Sequence, residues 1–102
     1  FGYPRDDFKF ALGTPTEGRD RFYQYVFSLV ADNAKQGGYF AGCNFWGWGG
    51  FAKPRHEQQW QVGDDYTCDP AQEQQGLNSV FSGDESTLQV IKSQVKKMAE
   101  LR

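Results

Sequence analysis

Tryptophan and glycine are concentrated in one short part of the chain, where they could bind a ligand. The sequence WGWGG at 46–50 contains Trp46 and Trp48, and Trp60 follows. The axial C–H faces of a sugar ring stack on indole, which offers a large contact area at low entropic cost. Neighbouring glycines would leave room for such a ligand. The segment therefore predicts a sugar-binding platform, and packing of both rings in a core is the alternative.

A second set of polar and aromatic side chains could supply hydrogen bonds to a glycan. Planar donors beside an aromatic face suit a sugar, so Arg55, His56 and Trp60 are candidate binding residues. For His56, a surface position without a ligand is the alternative. The aspartates of the set have no EF-hand spacing, and we interpret them as a solvated turn. The whole set is Arg55, His56, Glu57, Trp60, Asp64, Asp65, Tyr66 and Asp69.

The sequence shows no motif typical of a catalytic nucleophile or of a nucleotide-binding site. The chain has no Gly-x-Ser-x-Gly motif, and Gly47-Trp48-Gly49 opens no helix. One His and two Cys cannot form a four-ligand zinc site without carboxylates. We therefore predict no metal and no cofactor. Cys43 and Cys68 allow one disulfide, and their spacing leaves open whether they are bridged.

Length and charge limit the function classes. The 102 residues carry 11 Lys+Arg against 13 Asp+Glu, a net charge of −2. This is too neutral for the basic face of a nucleic-acid binder. No apolar run approaches the roughly 18 residues that span a membrane. The length also excludes a complete eight-stranded α/β barrel, which needs about 200–250 residues.

Two helical patterns flank the candidate residues. The sequence TPTE at 14–17 has the form of a capping box with Thr14 as the N-cap. Apolar residues then recur every three or four positions, which predicts a helix over 15–36. The sequence SGDE at 82–85 is a second capping box, and the pattern after it predicts a helix over 84–101.

The remaining segments predict a parallel α/β arrangement. Residues 1–13 are interpreted as the end of a strand and a loop, and the apolar run 39–46 predicts a buried strand. Residues 47–81 predict a long loop, which their aromatic content suggests is ordered and functional. The order amounts to about two βα units. Active sites in such folds lie at the carboxyl ends of strands.

The motifs resemble those of clan-A glycoside hydrolases. Phe1-Gly2-Tyr3-Pro4 resembles the tail of the Glu-Phe-Gly motif that ends strand seven. The sequence NFWGWGG at 44–50 resembles strand eight with its active-site Trp. The loop 63–81, which includes DPAQE, is similar to endo-β-1,4-mannanases of glycoside hydrolase family 5, particularly the Bacteroides type. The resemblance covers essentially all 102 residues and implies the C-terminal portion of a (β/α)8 TIM barrel.

The resemblance implies a retaining double displacement with two glutamates about 5–5.5 Å apart. The family motif places the nucleophilic Glu just before Phe1, and the acid/base Glu comes from strand four. We therefore assign no catalytic residue in this chain and expect the isolated chain to be inactive. The family pattern carries over only Trp46, as the platform under the sugar at the cleavage site. Composition and position add the other substrate-binding candidates, Trp48, Arg55, His56 and Trp60.

The predicted function is part of a hydrolase of β-mannan or a related plant polysaccharide, with no nucleic-acid or membrane partner. The parent enzyme would be secreted, periplasmic or on the cell surface, although no signal segment is visible in the chain. Two alternatives stay open: a non-catalytic glycan-binding module, commonly a β-sandwich, and a scaffold whose tryptophans pack the barrel rim. Open strand edges would favour self-association of the isolated fragment.

Overall fold

Two helices and two short strands make up the regular structure of the computed structural model, which describes residues 1–6, 13–56 and 58–101. Both helices lie inside the predicted ranges 15–36 and 84–101. Neither described helix is long and apolar enough to cross a bilayer. Residues 7–12, part of the strand end and loop predicted over 1–13, and the candidate Glu57 lie outside the described residues. The elements in chain order are α1 (Glu17–Lys35), β1 (Gly47–Gly50), β2 (Ser79–Phe81) and α2 (Glu85–Glu100).

The two strands form a parallel pair. Gly47 lies opposite Ser79 and Trp48 opposite Val80, with an irregularity between Trp48 and Gly50. A parallel pair between two helices confirms the predicted α/β class. The described residues do not form the β-sandwich expected of the alternative glycan-binding module.

The strand predicted over 39–46 is wrong in its position. Residues 39–44 are exposed and have no regular structure, although the Phe1 nitrogen donates a hydrogen bond to the Asn44 carbonyl oxygen (2.8 Å). A strand is a ladder of such bonds, and an apolar pattern does not reveal which residues find a partner. β1 and β2 instead lie at the two ends of the range 47–81 that was predicted as a loop. Strands of three and four residues are too short to show a period.

The helix starts differ from the predicted capping boxes. Thr16, not Thr14, is the N-cap of α1, and its hydroxyl bonds Asp20 (3.1 Å). The backbone N–H groups of Glu17 and Gly18 have no partner within the helix. They donate instead to the Asp6 carboxylate, at 2.9 and 3.2 Å. A carboxylate at this end also suits the helix dipole. Because Asp6 comes from another part of the chain, the local motif could not reveal this cap.

The apolar core lies where α1 meets β2. Tyr23, Phe27 and Val80 are buried together, and Phe1 is one of the partly buried residues packed against them. The Phe1 ring meets Tyr23 edge-on, with centroids 4.8 Å apart, and Phe27 in the same way at 5.5 Å. These contacts fix the first residues of the chain against α1.

A buried polar cluster joins the first residues of the chain to both helices and to β2. Arg5 and Arg19 both bind the Asp84 carboxylate, and all three side chains are buried. Arg19 also donates to the carbonyl oxygen of Ser79 (3.0 Å) and to the Thr87 hydroxyl (3.0 Å). Asp84 is the N-cap of α2 rather than Ser82 of the predicted box. The cluster therefore holds the start of α2 and β2 in one geometry.

Candidate functional site

Trp46 and Trp48 lie at β1 with about half of each side chain exposed, 51% and 52%. Between them, Gly47 packs so closely on Cys68 that a Cβ atom would lie 2.5 Å from the Cys68 Cβ. A Cβ on Gly49 would likewise lie 2.6 Å from a ring carbon of Phe81. The glycines therefore allow close packing of the protein on itself. Cys68 and Phe81 fill the space beside the backbone at these two positions.

Trp46 lies directly beside the first residues of the chain. A Cβ atom on Gly2 would be 3.1 Å from the Trp46 Cβ, and 3.3 Å from the Asn78 side-chain oxygen. A side chain at residue 2 would press on Trp46 and Asn78, so glycine suits this close approach of the backbone. The two motifs that were separate in the sequence, at 1–4 and 44–50, are neighbours in the fold.

Asp64 brings three of the predicted site residues together. The Arg55 Nε donates to its Oδ1 (3.3 Å), and the His56 Nδ1 lies 2.7 Å from its Oδ2. The same Oδ2 accepts the backbone N–H of Gln61 (2.9 Å). The Trp60 indole N–H donates to the Asp64 carbonyl oxygen (3.1 Å). We call Arg55, His56, Trp60 and Asp64 the Asp64 cluster.

Hydrogen bonding keeps the Asp64 carboxylate charged. Burial raises its pKa, but the Gln61 N–H, His56 and Arg55 together lower the pKa below its usual value. The carboxylate holds two donors whose side chains stay 64% (Arg55) and 44% (His56) exposed. Arg55 and His56 line a cavity of about 380 Å³ with three glutamines, Gln58, Gln59 and Gln61.

Trp60 is a less accessible ring than the sequence predicts. It is only partly exposed, and Tyr66 stacks on it with centroids 5.3 Å apart and an angle of 11° between the rings. Tyr66 itself is 80% exposed. Tyr66 belongs to the second set of polar and aromatic side chains but was not among the predicted binding residues.

The predicted solvated turn is wrong for Asp64 and Asp69, which are buried, whereas Asp65 is exposed. Asp65 accepts the Lys53 N–H (3.0 Å). Asp69 is buried and accepts the N–H groups of Gly76 and Asn78, both at 2.9 Å. Within the described ranges, no group of three or more His, Cys, Asp or Glu could hold a metal ion. The carboxylates instead order the loop by satisfying its backbone.

The two cysteines are free thiols in the described part of the chain. Cys43 is exposed, whereas the Cys68 sulfur lies 3.0 Å from the Ser79 hydroxyl, which donates to Asp69 (2.6 Å). Burial raises the pKa of the Cys68 thiol. Cys68 is therefore a packing partner of β1 and β2.

The organising role of Asp64 is the main feature that sequence reasoning missed. The one signal in the sequence was that Asp64 lies in the same loop as Arg55, His56 and Trp60, whose side chains carry N–H donors. Trp46 and Trp48 lie at β1, outside the Asp64 cluster. The structure thus divides the predicted site residues into an indole pair and a polar, aromatic cluster on the loop.

Known proteins resemble the chain over its whole length. A family model described as GH family 5 beta-mannosidase-like matches residues 1–102. A glycoside hydrolase family 5 mannosidase from Rhizomucor miehei is similar with 28% identity and a TM-score of 0.82, over 99% of this chain and 26% of that chain. Two glutamate-to-alanine mutants from the same organism match with 29% identity and a TM-score of 0.83, over the same shares of both chains. One of these is in complex with mannosyl-fructose. No curated protein matches the chain.

The chain matches only part of each of these solved structures. The chain spans about a quarter (26%) of the length of the solved structures that it matches. This likeness confirms the fold class predicted from the sequence, a portion of an α/β barrel.

Proposed function

Since the chain belongs to the β-mannosidase-like group of glycoside hydrolase family 5, we propose that it forms part of a retaining hydrolase of β-1,4-mannan-type polysaccharide. The observation that supports its role is the position of Trp46, which is half exposed and whose Cβ lies beside Gly2. This position suits a platform for the sugar ring whose linkage is cleaved. Family membership does not by itself give the substrate, the internal (endo) position of cleavage or the site residues, and all three are part of this proposal.

The geometry at the start of the chain supports this role. We place the nucleophilic glutamate just before Phe1, outside the 102 residues. The Phe1 ring is packed on α1, and the Phe1 nitrogen bonds Asn44, two residues before Trp46. A carboxylate at that position would be held in a fixed relation to the indole. Such fixed placement of a reacting group and a bound sugar accounts for much of the rate of an enzyme.

The proposed reaction needs two carboxyl groups about 5–5.5 Å apart, one as nucleophile and one as acid/base. This chain supplies neither of them under the proposal. Its contribution is to bind and orient: Trp46 stacks on the ring at the cleavage site, with Trp48 as a second indole. The Asp64 cluster offers exposed polar groups to sugar hydroxyl groups, from the Arg55 guanidinium and the His56 ring.

Substrate selectivity and stereochemistry test the proposal. The full-length protein that contains residues 1–102 would be assayed on galactomannan, glucomannan, cellulose and xylan. We expect hydrolysis of the two mannans with oligosaccharide products, and retention of the anomeric configuration by proton NMR. Cleavage of cellulose or xylan instead, or inversion of configuration, would overturn the assignment. The isolated 102-residue chain is expected to be inactive in the same assays.

A further inference from the structure

We propose that Tyr66 binds a pyranose of the glycan by the ring face that points away from Trp60, as a specificity-determining residue. This ring would be another sugar unit than the one proposed to lie on Trp46. The inference rests on the proposed function, because it takes a β-mannan chain as the ligand.

The first support is the position of the Tyr66 ring. Tyr66 and Trp60 lie nearly parallel, 11° apart, with centroids at 5.3 Å. One face of each ring is therefore covered by the other. Because Tyr66 is 80% exposed, its second face is open to solvent. Tyr66, and not Trp60, is the ring of this pair that can receive a ligand face-on.

The second support is that the pair is held in place. The Trp60 indole N–H donates to the Asp64 carbonyl oxygen (3.1 Å), and Asp64 is buried and bonded to Arg55, His56 and Gln61. Trp60 is thus fixed beneath Tyr66. A ring that is already ordered loses little conformational entropy when a sugar binds to it.

The third support is the polar surroundings. The Asp64 cluster exposes the Arg55 guanidinium, which also donates to the Gly63 carbonyl oxygen (2.6 Å), and the His56 ring. The Asp64 carboxylate offsets the charge of the Arg55 guanidinium. A surface with one aromatic face, planar donors and balanced charge fits an uncharged sugar better than an acidic glycan. Few, well-placed polar groups beside apolar area are typical of small-ligand sites.

The test compares Tyr66→Ala and Tyr66→Phe in the full-length protein, with Tyr25→Ala as the matched control. Tyr25 is an exposed tyrosine on α1, 62% accessible. KM and kcat would be measured for manno-oligosaccharides of increasing length, up to mannohexaose. Binding of mannohexaose would be measured by calorimetry.

We expect Tyr66→Ala to raise KM for the longest oligosaccharide about tenfold, the scale of one stacking contact. The shortest oligosaccharide that the wild type cleaves should be hydrolysed at the wild-type rate. Tyr66→Phe keeps the aromatic face and should bind mannohexaose as the wild type does. Tyr25→Ala should leave KM, kcat and mannohexaose binding unchanged. Unchanged KM at every length in a folded Tyr66→Ala protein would overturn the inference, as would equal losses on short and long substrates. Tyr66-dependent binding of mannohexaose without hydrolysis would overturn the proposed function and support this inference.

Discussion

Arg19 and Asp84 lie 3.1 Å apart, and both side chains are almost completely buried. Arg5 binds the same carboxylate, so one acidic group faces two guanidinium groups inside the protein. Removing charges from water is costly, and a buried pair is stable only with good geometry and further hydrogen bonds. Here the Phe81 N–H (2.8 Å) and the Ser79 carbonyl oxygen supply those bonds.

Asp84→Asn should destabilise the protein strongly. It removes the charge that compensates two buried arginines, and breaking a buried pair in this way costs about 3–5 kcal/mol. Urea unfolding of the full-length protein measures this loss. Glu85→Gln, at the exposed neighbouring position, should cost no more than about 1 kcal/mol. Equal stability of the two variants would contradict a structural role for the cluster.

Acid should destabilise the protein through the same carboxylate. Burial raises the pKa of Asp84, but the hydrogen bonds from Arg5 and Phe81 and the charges of Arg5 and Arg19 lower it below its usual value. The folded pKa is thus lower than the unfolded one, which is about 3.9. The stabilisation is complete above that pH and is lost as the pH falls through the folded pKa.

Unfolding free energies measured from pH 7 to pH 2 check this dependence. The wild type should lose stability below about pH 4, and the Asp84→Asn variant should show a smaller slope there. Parallel curves for the two proteins would mean that other groups dominate the acid transition.

The helices could be predicted from sequence because each carries its own signal. Residues 15–36 and 84–101 repeat apolar side chains at helical spacing, and α1 and α2 lie within these ranges. The caps could not be predicted, since Asp6 reaches α1 from another part of the chain. The strand was misplaced at 39–46 for the same reason: pairing depends on a distant partner, which for β1 is residues 79–81.

Alkaline pH should destabilise the protein through Tyr23. Burial raises its pKa to about 12, despite the nearby charge of Arg19. Because the folded pKa lies above the unfolded value of about 10, this stabilisation is present below pH 10 and is lost as the pH rises towards 12. Tyr23→Phe removes the titrating group, so the free energies of unfolding of the two proteins should diverge between these values. A difference in unfolding free energy between the two proteins that stays constant from pH 10 to pH 12 would contradict this role of Tyr23.

Gly47→Ala should disrupt the contact of β1 with the loop. The new methyl group would meet the Cys68 Cβ at 2.5 Å and the sulfur at 2.6 Å. Overpacking of this kind costs about 1–3 kcal/mol, measurable by urea unfolding. At Gly83 a Cβ meets nothing within 4 Å, so Gly83→Ala is the matched control and should be close to neutral. Adding Cys68→Gly to the Gly47→Ala variant should relieve the clash.

The candidate site could be predicted in part. Aromatic and planar side chains in one loop indicated a binding surface, and the structure does gather Arg55, His56 and Trp60. The role of Asp64 depends on which donors lie close to it in three dimensions, and no sequence pattern predicts that arrangement. The stacking of Tyr66 on Trp60 is also invisible in the sequence, because it depends on the path of the loop between them.

Trp46→Ala should separate a sugar platform from a packing role. The side chain is 51% exposed, so its truncation should cost less than the roughly 3–5 kcal/mol of a fully buried tryptophan. If the ring stacks on the sugar at the cleavage site, kcat/KM on mannan should fall at least tenfold while the protein stays folded. Trp46→Phe keeps an aromatic face and should recover part of the activity. A large loss of stability with unchanged kcat/KM per folded molecule would instead make Trp46 a packing residue of the barrel rim.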